Sequence, residues 1–270
     1  MKKAFSMILI LLVLLSACIS MPAQEASNPP LRVTHSLWPG DYPAVLAQKL
    51  GLFEKHGVAV QLIPLENYSD LMPLFLSGQV DISLPNWTEA ITMHSQKPDL
   101  FKVILANDYS DGADQIVALP EIEDVTDLRW KRIGVVPRTF GAMFIRQMLA
   151  KSGMMASEVT FVDLGPEAVV ENMPDTVDAG YTWEPYTSQA RERGYNVIFD
   201  SSQTPGLLTD VIIARSDVVR SRPEDVQAFV DAWFEALVYW QTNPEQANAL
   251  IAEATGQAPE DISLDGIHMY

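Results

Sequence analysis

The chain of 270 residues contains a single cysteine, Cys18. An internal disulfide is therefore excluded, and the fold must be held by its apolar core. Positive charge is also scarce: 18 Lys and Arg stand against 35 Asp and Glu, a formal net charge of −17. So acidic a chain is unsuited to the phosphates of nucleic acid and is repelled by anionic lipid headgroups. His35, His56, His94 and His268 are scattered without metal-ligand spacing, so no metal site and no other cofactor is expected. No Gly-x-Ser-x-Gly elbow occurs, which argues against a Ser/His/Asp hydrolase. Long apolar runs are missing too. The aliphatic stretch Ile8 to Leu15 is far short of the ~20 residues of a membrane-spanning helix.

What is present at the N-terminus gives that stretch a meaning. Lys2 and Lys3, the aliphatic run, then Leu15-Ser16-Ala17-Cys18 follow the layout of a secretory signal. Leu-Ser-Ala-Cys resembles the bacterial lipobox, in which the thiol is acylated and becomes the new N-terminus. The competing readings are an ordinary signal with a chance cysteine, or a core helix. The expectation is that residues 1–17 are removed and Cys18 carries lipid. Residues 18–30 then form a flexible tether, rich in Ser, Ala and Pro, between membrane and globular part. Loss of Lys2 and Lys3 leaves the mature chain two units more negative, so attachment falls to the acyl anchor alone. The protein is expected in the cell envelope, in the periplasm or on the outer face of the cytoplasmic membrane.

With 48% apolar and 20% charged residues, the remainder predicts a proper core in one large or two moderate lobes. Strands are predicted at Arg32 to Leu37, Val58 to Leu65, Val80 to Leu84, Phe101 to Ala106 and Gln115 to Leu119. A second series covers Arg132 to Val136, Glu158 to Val162, Val177 to Tyr181, Tyr195 to Phe199 and Val211 to Ala214. Helices are predicted at Pro43 to Leu50, Asp70 to Ser77, Trp87 to Gln96, Phe140 to Lys151, Pro166 to Asn172 and Pro223 to Trp240. Gly51, Gly78 and Gly153 are natural helix stops. Alternating strands and helices imply an α/β fold with parallel-rich sheets flanked by helices. One internal echo stands out: Val80-Asp81-Ile82 precedes Trp87, and Val177-Asp178-Ala179 precedes Trp183. Ser77-Gly78 has no counterpart at Pro174-Asp175, so the echo lies in topology more than in sequence. Two such lobes would face each other across a cleft at the carboxyl ends of their strands.

Together these motifs resemble periplasmic binding proteins of the nitrate/sulfonate/taurine type, a family that also contains binders of thiamine-precursor pyrimidines. The residues carrying the resemblance are Leu37-Trp38-Pro39-Gly40-Asp41-Tyr42-Pro43, Gly51-Leu52-Phe53-Glu54-Lys55-His56-Gly57, Leu76-Ser77-Gly78-Gln79-Val80-Asp81 and Asp111-Gly112-Ala113-Asp114. Later matches are Lys131-Arg132-Ile133-Gly134-Val135, Trp183-Glu184-Pro185-Tyr186 and Asp210-Val211-Ile212-Ile213-Ala214-Arg215. The resemblance implies a two-lobed, type II binding-protein fold with 31–115 plus 211–270 in lobe one and 116–210 in lobe two. Asp114 to Leu119 and Asp210 to Ala214 would cross between them. It further implies a monomer that hands a small solute to the permease and ATPase subunits of an ABC importer. Family members continue beyond the position of Tyr270, so a shortened C-terminus is expected. The alternatives are a ligand-sensing module for a signalling partner, or an enzyme like the thiamine-pyrimidine synthases, whose cysteine cluster is absent here.

Candidate ligand-binding residues follow from what a cleft needs: a few converging polar groups on an aromatic wall. Trp38 and Tyr42 follow the first strand, where the family contacts its ligand; loop packing beside Pro39 is the other reading of Trp38. Asp41 is either a helix N-cap or a ligand group. Asn67 follows the second strand and, like Ser69, could instead cap a helix. Asn86 and Glu89 have capping-box spacing, which leaves Trp87 as the cleft candidate of that segment. Asp114 is a cleft carboxylate or a hinge acceptor. Arg138 and Thr139 precede a helix whose first N–H groups form an anion site, and Trp183 and Glu184 close the opposite wall. Three indoles and several carboxylates against one cation, Arg138, favour a solute with a positive or flat heteroaromatic part.

Overall fold

A computed structural model describes residues 28–270 of the chain; the expected signal, tether start and lipidated Cys18 lie outside the described residues. Two sheets carry the fold. The first contains β1 (Leu31–His35), β2 (Val60–Pro64), β3 (Ile82–Ser83), β4 (Phe101–Ser110), β10 (Thr209–Arg215) and β11 (Ile267–Met269), in the order β11-β4-β10-β3-β1-β2. The second contains β5 (Gln115–Ala118), β6 (Arg132–Gly134), β7 (Thr160–Val162), β8 (Ala179–Thr182) and β9 (Asn196–Asp200), in the order β7-β6-β8-β5-β9.

Setting β11 aside, the two orders are the same arrangement. Three parallel strands, β2-β1-β3 or β7-β6-β8, are followed by an antiparallel strand that arrives from the other sheet. β10 follows β9 of the second sheet yet inserts between β3 and β4; β5 follows β4 of the first sheet yet inserts between β8 and β9. The sheets are therefore mixed, not parallel-rich, because each receives a strand entering from the opposite half. The segments expected to cross, around Asp114–Leu119 and Asp210–Ala214, are these exchanged strands. The passages themselves lie just before them, at 111–114 and 201–208.

The helices cover the sheets as their apolar spacing dictates. On α8 (Pro223–Thr242), Val226, Phe229, Ala232, Trp233, Ala236, Leu237 and Trp240 are buried, the three-to-four-residue recurrence of one helix face. That face packs on α1 (Tyr42–Lys49) and on α2 (Leu52–Lys55), where Phe53 stacks on Phe229 with centroids 5.6 Å apart. α9 (Pro244–Thr255) completes this layer. The other face of the first sheet is covered by α3 (Leu71–Ser77) and α4 (Trp87–Gln96) through Phe75, Ala90 and Met93. β10 serves both layers by strand alternation: Val211 and Ile213 join the α3/α4 side, Ile212 and Ala214 the α8 side. In the second half, α5 (Phe140–Lys151) buries Phe144, Ile145, Met148 and Leu149, and the short α6 (Tyr186–Glu192) precedes β9. α7 (Ser216–Ser221) leads into α8.

Two expected elements came out differently. The strand at Val80 to Leu84 is paired only at Ile82–Ser83, because the chain then turns off the ladder toward the cleft. The helix at Pro166 to Asn172 is two 3-10 turns, Pro166–Ala168 and Val170–Asn172. Val169 between them is held against β8, where a Cβ on Gly180 would stand 2.6 Å from its Cγ1. That tight seat, with two adjacent β-branched residues, disfavours a continuous α-turn.

Candidate functional site

Between the two sheets lies a small cavity whose lining is mostly buried. Its lining is Ser36, Trp38, Asp41, Tyr68, Leu84, Asn86, Asp114, Phe140, Trp183, Leu208 and Asp210, with free volume of about 20 Å³, room for about one water molecule. The placement follows from topology. Ser36, Trp38 and Asp41 come after β1, Tyr68 after β2, Leu84 and Asn86 after β3, Phe140 after β6, and Trp183 after β8. These are the carboxyl ends of the parallel strands of both sheets, where open α/β sheets take ligands. The passages between the halves supply Asp114 and Leu208.

The aromatic rings pack edge-on across the gap. Trp38 meets Trp183 at 6.5 Å between centroids, and Tyr68 meets Phe140 at 5.5 Å and Trp183 at 5.7 Å. Tyr181 of β8 backs Phe140 at 5.5 Å. Trp38 and Tyr68 belong to the first half, while Phe140, Tyr181 and Trp183 belong to the second. The structure is thus a closed one, with rings from both halves in contact.

Carboxylates gather here: Asp41, Asp114 and Asp210 line the space and Asp108 lies behind Trp38. Asp41 accepts the Ser36 N–H at 2.7 Å and its hydroxyl at 2.9 Å. Asp108, fully buried on β4, accepts Trp38 Nε1–H at 3.2 Å and Asn107 Nδ2–H at 2.6 Å. Asp114 accepts the Tyr181 hydroxyl, and Asp210 accepts Asn86 Nδ2–H at 2.9 Å. Burial raises Asp41 to about 7, its Ser36 bonds offsetting only part. Burial likewise raises Asp114 to about 6, against the bonds from Ser110 and Tyr181. Asp108 and Asp210 lie well above the usual carboxylate range through burial and through the charges of their fellow aspartates; Asp210 retains some accessible surface but lies deep in the protein. No Lys, Arg or His is among the lining residues. Among the described residues no group of three or more His, Cys, Asp or Glu is arranged to hold a metal ion.

Of the expected site residues, Trp38, Asp114 and Trp183 meet in this cavity, and so does Asp41. Tyr42 does not: it is the fully buried first residue of α1, its hydroxyl donating to Leu37 O at 3.0 Å and its ring tilted on Trp240. Trp87 is 46% exposed at the start of α4 and faces solvent. Asn67 and Thr139 line an outer groove that shares Tyr68, Phe140 and Trp183 with the cavity. Thr139 is the N-cap of α5 but spends its hydroxyl on Val136 O at 2.8 Å. Arg138 is exposed and lines a separate surface groove with Arg146. Glu184 borders a third groove and holds Arg191 at 3.1 Å. Asn86 caps α4 by accepting the Thr88 N–H, as expected. Glu89, however, does not complete a capping box. It reaches across to the other half and accepts the N–H of Phe140, the first residue of α5, at 3.2 Å.

Sequence reasoning missed Tyr68, Asp108, Phe140, Tyr181 and Asp210 as cleft residues. Tyr68 and Phe140 had a usable signal, an aromatic just beyond the carboxyl end of a predicted strand. Asp108 had none, since it sits inside β4 beyond the strand end predicted at Ala106.

Comparison with known proteins agrees with this architecture. A Brucella abortus (strain 2308) protein carrying a provisional binding-protein name is 26% identical over 238 residues, spanning 84% of this chain and 72% of that one. A Schizosaccharomyces pombe protein named 4-amino-5-hydroxymethyl-2-methylpyrimidine phosphate synthase is 25% identical over 225 residues, 77% of this chain and 64% of its own. In fold, the alkanesulfonate-binding protein SsuA from Xanthomonas axonopodis pv. citri, solved bound to MOPS, superposes with a TM-score of 0.76. It is 18% identical, with 88% of this chain and 83% of that one covered. The two-sheet α/β architecture is accordingly that of the periplasmic binding proteins. Residues 38–247 match the family described as NMT1/THI5 like, and the chain belongs to that family.

Proposed function

We propose that the protein is an extracytoplasmic solute-binding lipoprotein. It delivers a small nitrogen- or sulfur-containing organic solute to an ABC importer and catalyses no reaction. The observation that carries this reading is the aromatic cavity enclosed between two sheet-bearing halves that two passages of chain connect. Such a construction opens and shuts about the passages at 111–114 and 201–208, admitting a solute and then enclosing it. Acylation at Cys18 would hold the protein to the membrane while the globular part works as a monomer against the permease. Similarity to the Brucella binding protein supports the reading, and so does the fold shared with SsuA.

A thermal-shift panel of amines, aminopyrimidines, sulfonates and nitrate against the full-length chain tests it. A solute that binds only the native state raises the midpoint as its concentration exceeds the dissociation constant. Permease and ATPase genes beside this one would support import over signalling. The synthase-named relatives favour a second reading, an enzyme of pyrimidine formation. The two part on one measurement: a binding protein returns its solute chemically unchanged after prolonged incubation, and an enzyme does not.

A further inference from the structure

The cavity holds an electrostatic arrangement that an anion-binding site would not tolerate. Asp41, Asp114 and Asp210 line it, Asp108 is buried behind Trp38 within reach of their charges, and no cationic side chain is among the lining residues. Like charges enclosed together at low dielectric repel strongly. Aromatic faces around them attract cations. A second, independent feature points the same way. The N-terminus of α5 is the place in this cleft where backbone N–H groups would receive an anion. It is already taken by Glu89, which is 4% exposed, accepts the Phe140 N–H through Oε1 and leaves Oε2 buried without a partner. Glu89 comes from the opposite half, so it fills the anion site only when the halves are together.

We propose that the solute is a small organic cation and that its positive charge is what allows the halves to shut. The proposal rests on the solute-binding reading above and narrows it. Opening would bring Asp41, Asp114, Asp210 and Glu89 to water, where they ionise. Shutting an empty cleft would enclose these like charges beside Asp108, so at neutral pH closure requires either protons or a cation. The remaining titratable groups facing these carboxylates are tyrosines: Tyr181 donates to Asp114, Tyr68 accepts the Asn86 N–H, and Tyr42 lies beside Asp41 with its hydroxyl donated to Leu37 O. A cation supplies the missing charge and lies against Trp38 and Trp183, whose rings part to admit it because the cavity as shut has room for about one water; an anion adds to the repulsion and finds its helix end occupied. The importer would then meet a closed protein chiefly when it is loaded.

The sign of the pH effect follows. Closure raises the affinity of the carboxyls for protons, Glu89 to about 8 through burial against the Phe140 hydrogen bond. The empty protein therefore closes as pH falls through the range from about 8 to about 5 and opens as it rises.

Acrylamide quenching of tryptophan fluorescence in the full-length chain carrying Trp87→Phe and Trp130→Phe, which removes the two exposed indoles, reads this, because Trp38 and Trp183 are 7% and 4% exposed when closed. Quenching of the empty protein should rise from about pH 5 to about pH 8, and choline or 4-amino-5-aminomethyl-2-methylpyrimidine should reverse the rise. Calorimetry at neutral pH should show at least one of these cations binding tenfold or more tightly than 3,3-dimethylbutan-1-ol, the neutral isostere of choline. Proton release should accompany binding only in acid, where the empty protein is closed on protons, and ethanesulfonate should be silent. The Asp41→Asn/Asp210→Asn variant should stay shielded at both pH values and lose the cation preference. Equal binding of cation and isostere, or quenching independent of pH, overturns the proposal. Binding of ethanesulfonate or nitrate in place of the cations overturns the charge assignment while leaving solute binding intact. Silence from every probe overturns both.

Discussion

Asp178 accepts three hydrogen bonds from Arg132, from the main-chain N–H at 2.8 Å, Nε at 3.2 Å and Nη2 at 2.7 Å. Asp81 accepts the same three from Arg32 in the other half, at 2.9, 2.9 and 2.7 Å. The guanidinium of Arg32 also donates to Gly78 O, and that of Arg132 to Pro174 O and Asp175 O. The sequence echo between Val80-Asp81-Ile82 and Val177-Asp178-Ala179 is thus a structural repeat. The missing counterpart of Gly78 is supplied by backbone carbonyls, which carry no sequence signature. In both halves the clasp ties the first parallel strand to the segment entering the third.

The clasp predicts unequal costs on truncation. Asp81→Ala removes the more enclosed carboxylate and should cost about 1–2 kcal/mol, read as a lower urea midpoint at unchanged slope. Asp178→Ala should move the midpoint the same way by less, since Asp178 is the less enclosed of the two carboxylates.

Stability should peak in mildly acidic solution. Burial pushes Asp81 up, but its Arg32 bonds and charge outweigh this and hold it below the usual range. Its contribution is complete above the unfolded value of about 4 and fades as pH falls further. Asp41, Asp114 and Glu89 are raised by burial, to about 7, about 6 and about 8. Their contribution is complete below about pH 4 and is lost as pH climbs through about 6 to 8. Calorimetric melting of the empty protein should show the highest Tm between about pH 4 and pH 6. Asp41→Asn should flatten the alkaline side.

Gly40 is a packing requirement of the cleft. A Cβ there would stand 2.0 Å from Asp108 Oδ2 and 2.5 Å from Trp38 Nε1. Gly40→Ala should break the Trp38–Asp108 hydrogen bond and destabilise the fold by about 1–3 kcal/mol. A shift in tryptophan emission and a tenfold or greater loss of solute affinity are the expected readouts.

Trp183 touches Trp38, Tyr68, Phe140 and Tyr181 at once. Trp183→Leu keeps bulk but removes the π face. Affinity for the tightest organic cation should fall about 2- to 30-fold, the range of one desolvated cation–aromatic contact. Titration calorimetry measures it.

Cys18→Ser should abolish incorporation of radiolabelled palmitate and release the protein from the membrane fraction. Unchanged labelling would remove the lipoprotein assignment.

Much of the scaffold was legible because it depends on near neighbours. The bounds of the helices at Trp87–Gln96 and Phe140–Lys151 match their apolar spacing. Gly78 and Gly153 adopt φ of +78° and +68° where those stops were read, a conformation that costs glycine least. The succession of strands and helices along the chain followed from such local signals, whereas the bounds of the two lobes were what the family resemblance implied.

Which side chains share the cavity was decided elsewhere. Trp38 and Trp87 look alike in sequence, each just beyond a strand of the first half. Only the docking of the second half turns Trp38 inward while the first turn of α4 carries Trp87 to solvent. Asp108 and Asp210 become neighbours because β10 returns from the other sheet to lie against β4. Helix periods and caps are set by contacts within a few residues. The direction of a loop side chain, and the company a buried carboxylate keeps, are set by packing between segments a hundred residues apart.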